Sequence, residues 1–138
     1  MAPLLFKKTS TKKILIVEDE PNLLKVLKIR VQSAGYEALT ALDAYQGVQS
    51  AIANRPDLVI LDLMMPAGGG YQSLKNIRTS LLTKDLPVVI LTGARDEELK
   101  NRVLEAGVAA YLEKPYNPEE FLGTIRQILG EPSAENPG

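Results

Sequence analysis

The chain has 138 residues, 16 Lys+Arg against 17 Asp+Glu, 45% hydrophobic content, and neither Cys nor His. That length is one domain's worth, with a core that needs no staples, and the missing residue types exclude disulfide frameworks, zinc and haem sites, thiol or serine–histidine catalysis, and phosphohistidine carriage by the chain itself. A net charge of −1 with interspersed signs argues against direct nucleic-acid binding, and no apolar run approaches the ~18 residues of a membrane span.

Residues 1–12 read as a flexible N-terminal leader, in which the apolar Leu4–Phe6 precedes the lysines, the reverse of a secretory signal. Lys7, Lys8, Lys12 and Lys13 read as solubilising charges. The first strand is predicted at Ile14–Val17, followed by a helix with Leu24, Leu27, Val31 and Ala34 on one face, Pro21 in its first turn and Gly35 at its stop. A weaker strand candidate, Tyr36–Ala41, comes next. The second helix carries a stripe of Ala44, Val48, Ala51 and Ile52 behind the capping-box pair Asp43 and Gln46.

Leu58–Leu61 is the third strand. The Gly-rich Ala67–Gly70 after it is expected to make a mobile loop, and Leu74 with Ile77 marks a short third helix. Val88–Leu91 is the fourth strand, Leu99, Val103 and Ala106 a fourth helix ended by Gly107, and Ala109–Leu112 an edge strand. Asn117, Pro118 and Glu120 open the fifth helix, with Phe121, Ile125 and Ile128 on its inner face. The domain spans 13–130; residues 131–138, EPSAENPG, read as a flexible tail or the start of a linker.

Short apolar strands without polar alternation, separated by amphipathic helices, predict an α/β fold: a parallel sheet covered on both faces. Ligands of such sheets bind beyond the carboxyl ends of the strands. Glu18 and Asp19 follow the first strand, Asp62 the third and Thr92 the fourth, and Lys114 lies just past the fifth. Three carboxylates brought together repel and push at least one pKa upward. A hard divalent cation removes the conflict, and ligands offering only oxygen point to Mg²⁺, with Mn²⁺ as the alternative. A lysine opposite the cation and a hydroxyl beside it suit a phosphoryl group. Asp62, between Leu61 and Leu63, is placed as nucleophile.

The segments Ile14–Glu20 (ILIVEDE), Pro56–Pro66 (PDLVILDLMMP), Val88–Gly93 (VVILTG) and Leu104–Pro115 (LEAGVAAYLEKP) stand in one register. Together they resemble the response-regulator receiver domain of two-component signalling. The resemblance implies a flavodoxin-like (βα)5 doubly wound fold with a five-stranded parallel sheet in the order 2-1-3-4-5. It implies a cytoplasmic phosphoacceptor rather than an enzyme, taking a phosphoryl group onto Asp62 from a sensor histidine kinase or phosphotransfer protein. Glu18, Asp19, Asp62 and the backbone carbonyl of Met64 would hold Mg²⁺, Asp19 directly and Glu18 through water. Lys114 and Thr92 would bind phosphate, Thr92 and Tyr111 would form the switch, and the Lys114–Pro115 bond would be cis. A downstream effector or attached output domain would read the face made by the fourth helix, fifth strand and fifth helix.

Met64 and Ala94, two residues beyond Asp62 and Thr92, cannot orient a water, which predicts a long-lived aspartyl-phosphate. Three competing readings are weaker. A haloacid-dehalogenase-type phosphatase needs an acid at position 64, and a flavodoxin-like redox protein needs a phosphate loop where Glu18–Glu20 stand. A receiver-fold binding module that is never phosphorylated would usually have lost part of the acid–lysine set, which is intact here.

Overall fold

The structure, a computed structural model, describes residues 11–66 and 69–131. Strands and helices alternate: β1 (Lys13–Val17), α1 (Pro21–Ser33), β2 (Glu37–Ala41), α2 (Ala44–Asn54), β3 (Leu58–Leu61), α3 (Gly69–Thr79), β4 (Val88–Thr92), α4 (Glu97–Ala106), β5 (Ala110–Glu113) and α5 (Pro118–Leu129). All strand pairs are parallel, in the expected order β2-β1-β3-β4-β5. Residues 1–10 of the leader, residues 132–138 of the tail, and Ala67 and Gly68 of the Gly-rich segment lie outside the described residues.

The apolar runs behave as a doubly covered sheet requires. β3 and β4 are buried throughout, and alternate residues serve opposite faces. Leu15, Val17, Val59, Leu61, Val88 and Ile90 pack under α2, α3 and α4, through Ala51, Leu74, Ile77 and Val103. Ile14, Ile16, Leu58, Ile60, Val89 and Leu91 pack under α1 and α5, through Leu24, Leu27, Val31, Phe121 and Ile125.

The side chains of Asp43 and Asn117 cap α2 and α5 as expected, Asn117 accepting from the N–H groups of Glu119 and Glu120 at 2.8 and 3.0 Å. Glu20 and Asp96 cap α1 and α4 in the same way. Glu20, the last acid of the ILIVEDE run, therefore serves helix α1 rather than the acid cluster.

Several details differ from the sequence-based expectation. Lys13, read from sequence as a solubilising charge, belongs to β1, and its ammonium donates to the Asn54 carbonyl. Tyr36 precedes β2 and is buried, its hydroxyl donating to the Gly130 carbonyl at 3.2 Å. β5 is shifted one residue onward, so Lys114 follows it directly.

Of the expected α2 stripe Ala51 is buried while Ala44, Val48 and Ile52 are half-buried; Gly47 is buried as well, and a Cβ there would stand 2.9 Å from both methyls of Val17. The glycines after β3 require the largest correction. Gly69 and Gly70 are buried inside the first turn of α3, not in a mobile loop. A Cβ on Gly70 would overlap the Asp62 carbonyl oxygen and the Leu63 Cα. The third helix is accordingly 11 residues long, and the missing side chain lets it start against the strand end that carries Asp62.

Candidate functional site

The carboxyl ends of β1, β3, β4 and β5 bring together five of the residues singled out above. Glu18 follows β1, and its N–H donates to the Ala41 carbonyl of β2 at 3.1 Å. Asp62 follows β3, with its N–H on the Val17 carbonyl at 3.2 Å. Glu18, Asp19 and Asp62 each present a carboxylate oxygen within 4.8 Å of the others. Glu18 and Asp62 are buried and Asp19 is half-buried.

Lys114 joins the two buried acids. Its Nζ donates to Glu18 Oε1 at 3.1 Å and to Asp62 Oδ2 at 3.2 Å, while its backbone N–H donates to the Thr92 carbonyl at 2.8 Å. The other oxygen of each acid is held by the backbone: Asp62 Oδ1 accepts from Met64 N–H at 3.0 Å and Glu18 Oε2 from Glu20 N–H at 3.2 Å. The Lys114–Pro115 peptide bond is cis.

The electrostatics follow from burial. Burial raises the Glu18 carboxyl above its ordinary range; the Lys114 hydrogen bond opposes this, but the Asp62 charge adds to the rise. Burial works to lower the Lys114 ammonium, yet the Glu18 hydrogen bond and the Asp62 and Glu18 charges outweigh it and leave the amine above its usual value. One ammonium therefore leaves the buried Glu18 incompletely neutralised. Three carboxylates, in a chain without Cys or His, suit a hard cation.

Thr92 ends β4 rather than following it and is fully buried, its Oγ1 accepting from Ala94 N–H at 3.2 Å. Tyr111 lies on β5 opposite Ile90 and is half-buried against the core on the α4 side, with Lys100 Nζ 4.9 Å from its ring centroid. Burial, then the charges of Glu113, Glu97 and Asp96, push its hydroxyl above the usual tyrosine value. Met64 is 60% exposed, and its backbone reaches the site through its N–H.

Two residues of this neighbourhood carry no signal in the sequence. Arg95, after β4, reaches Glu113 Oε1 at 3.3 Å and the Lys114 carbonyl at 3.4 Å, bracing the segment beyond β4 against the end of β5. Gly70 sets how closely α3 approaches Asp62.

Comparison with known proteins agrees with this geometry. The model of the response regulator receiver domain matches residues 14–126. The phosphate regulon transcriptional regulatory protein of Pseudomonas aeruginosa is 33% identical over 118 residues, covering 86% of this chain and 52% of the relative. The alkaline phosphatase synthesis transcriptional regulatory protein of Bacillus subtilis is 35% identical over 119 residues, 86% of this chain and 48% of the relative. The chain thus spans about half the length of these curated relatives.

Among solved structures, a chemotaxis protein of Vibrio cholerae superposes with a TM-score of 0.80 at 31% identity, covering 86% of this chain and 99% of that one. The receiver domain of a Pseudomonas aeruginosa sensor histidine kinase, which has a magnesium ion coordinated in its active site cleft, superposes with a TM-score of 0.79 at 29% identity, covering 88% and 100%.

Proposed function

The chain belongs to the response regulator receiver family, and from that premise we propose that it accepts a phosphoryl group on Asp62 from a phosphohistidine of a sensor histidine kinase or phosphotransfer protein. The observation that carries this reading is the Lys114 ammonium hydrogen-bonded to both Glu18 and Asp62 at the strand ends. Glu18, Asp19, Asp62 and the carbonyl of Met64 would hold Mg²⁺. When bound, the cation neutralises the acids and the phosphoryl oxygens beside them.

The chain's own residues supply the rest. A carboxylate oxygen of Asp62 forms the new O–P bond as the N–P bond of the donor breaks, its electron pair returning to the donor imidazole. The Met64 N–H on Oδ1 fixes the plane of the attacking carboxylate. Lys114, kept protonated by its two acids, meets the negative charge on the peripheral oxygens. Thr92 turns its hydroxyl from the Ala94 N–H toward the phosphoryl group, and the Tyr111 ring moves inward behind it. The surface of α4, β5 and α5 repacks, a two-state element biased by a local change of charge.

A downstream effector or an attached output domain reads that surface. Among the described residues no helix is long and apolar enough to cross a membrane, and we place the domain in the cytoplasm as a signalling module rather than a turnover enzyme, without direct nucleic-acid contact of its own. Incubation with acetyl phosphate and Mg²⁺, followed by intact-mass measurement, tests the assignment. The wild type gains a single phosphoryl adduct labile to hydroxylamine, and Asp62→Asn gains none. Equal labelling of the variant overturns it.

A further inference from the structure

Tyr116, two residues beyond Lys114, is held by two helices. Its hydroxyl accepts from Arg30 Nε of α1 at 3.0 Å, and the Arg30 guanidinium carbon lies 5.9 Å from the ring centroid. The ring also packs on the fully buried Phe121 of α5, centroids 5.3 Å apart and planes tilted by 58°. Arg30 forms no ion pair among the described residues, so its specific partner is this aromatic residue.

Lys114 lies between two fixed points. On one side its own N–H is bound to the Thr92 carbonyl at 2.8 Å, and on the other stands the pinned Tyr116. Its flexible side chain must nevertheless keep Nζ within hydrogen-bond distance of Glu18 and Asp62 together. A lysine has large rotamer freedom to lose in doing so, and a backbone held at both sides reduces the number of competing placements.

We propose that Arg30 is a positioning residue for phosphoryl transfer: through Tyr116 it fixes where the Lys114 ammonium stands. This rests on the reading of Lys114 as the amine that meets the phosphoryl group. It couples α1, which begins directly after the acidic residues following β1, to the lysine that faces those acids from β5.

Tyr116→Phe removes the hydroxyl and leaves the ring on Phe121. Arg30→Met removes the other partner, and Arg30→Lys keeps a donor. Each is measured in the full chain for thermal unfolding, Mg²⁺ affinity, and initial labelling rate with acetyl phosphate below saturation. Tyr116→Phe and Arg30→Met should each lower the rate about fivefold, the effect of one net hydrogen bond. Arg30→Lys should restore part of it, and Mg²⁺ affinity should hold. In a Lys114→Ala background, Tyr116→Phe should cost nothing further, because the effect passes through the lysine.

Hydrogen exchange of the Lys114 ammonium, followed by heteronuclear NMR, should be faster in Tyr116→Phe and Arg30→Met than in the wild type, and this readout needs no phosphoryl transfer. Equal slowing by Tyr116→Phe with and without Lys114 overturns the inference, as does unchanged lysine exchange. If the wild type is not labelled at all, the proposed function fails and the exchange measurement decides this inference by itself. If Arg30→Met fails to fold, Tyr116→Phe decides in the same way.

Discussion

Replacing Lys114 with Met keeps an aliphatic stem and removes the ammonium that lies 3.1 Å from Glu18 and 3.2 Å from Asp62. The two acid side chains are 3% and 6% exposed, and the lysine is 25% exposed. Two charge-assisted hydrogen bonds disappear, at about 1.5 kcal/mol each, near the lower limit for bonds to charged groups. Removing one partner of a fully buried pair costs about 3–5 kcal/mol, and partial solvent access at the lysine places this case at the lower end. The expected loss is therefore about 3 kcal/mol at neutral pH without divalent metal.

The pH dependence has a definite sign. Glu18 stands above its reference value of 4.5 in the folded protein, so folding favours its neutral form. The stability it contributes is full below the unfolded value and lost as the pH rises through the folded one. Lys114 is one of the influences pulling Glu18 down, so the variant raises that carboxyl further and loses more stability on the way to neutral pH. Lys114 is itself held above its reference value of 10.5, so in the wild type the lysine's contribution is full below that value and is lost as the pH rises through the folded one. Urea unfolding followed by far-UV circular dichroism, at neutral and acidic pH, with EDTA or saturating Mg²⁺, measures these effects. The deficit of Lys114→Met should shrink on acidification, and Mg²⁺ should stabilise the variant more than the wild type by supplying the missing charge. A variant as stable as the wild type at neutral pH without metal, or a deficit that grows on acidification, refutes the reasoning.

Gly70→Ala should lower stability by about 1–3 kcal/mol, the range for forcing extra volume into a packed site, because its Cβ would meet the Asp62 carbonyl oxygen and the Leu63 Cα, backbone atoms that cannot rotate away. By contrast, Gly123→Ala in α5, where a Cβ meets nothing within 4 Å, should gain about 0.5–1 kcal/mol from helix propensity; thermal unfolding of both variants checks the pair. Asp19→Asn should weaken Mg²⁺ binding at least ~10-fold, the smallest effect usual for losing even an outer partner of a metal, and calorimetry showing unchanged affinity would remove Asp19 from the ligand set. The aspartyl-phosphate should persist well beyond seconds in the purified protein, since the exposed Met64 and the buried Ala94 carry no group to orient water; a half-life of seconds by acid-quench counting contradicts this.

Strand positions and the acid–lysine cluster were legible from sequence because both rest on local rules. Ile14–Val17, Leu58–Leu61 and Val88–Leu91 announce buried parallel strands by composition, and a parallel sheet delivers whatever follows each strand to one rim. The caps Asp43 and Asn117 were equally local, each side chain bonding an N–H within three residues of itself.

Tertiary structure alone decided the features whose partners lie far off in the chain. Gly47 and Gly70 look like weak points in sequence and are buried contacts in the fold, because a glycine's role depends on what approaches it. Arg78 reads as an ordinary helical arginine, yet its guanidinium donates to the carbonyls of Gly107, Lys84 and Leu86 and ties α3 to the turn after α4. Arg30 and Tyr116 are separated by 86 positions and meet at 3.0 Å. Periodicity and capping are written in neighbouring residues, whereas close backbone approach and the reach of a long side chain depend on distances between elements, which exist only once the sheet and its helices have packed.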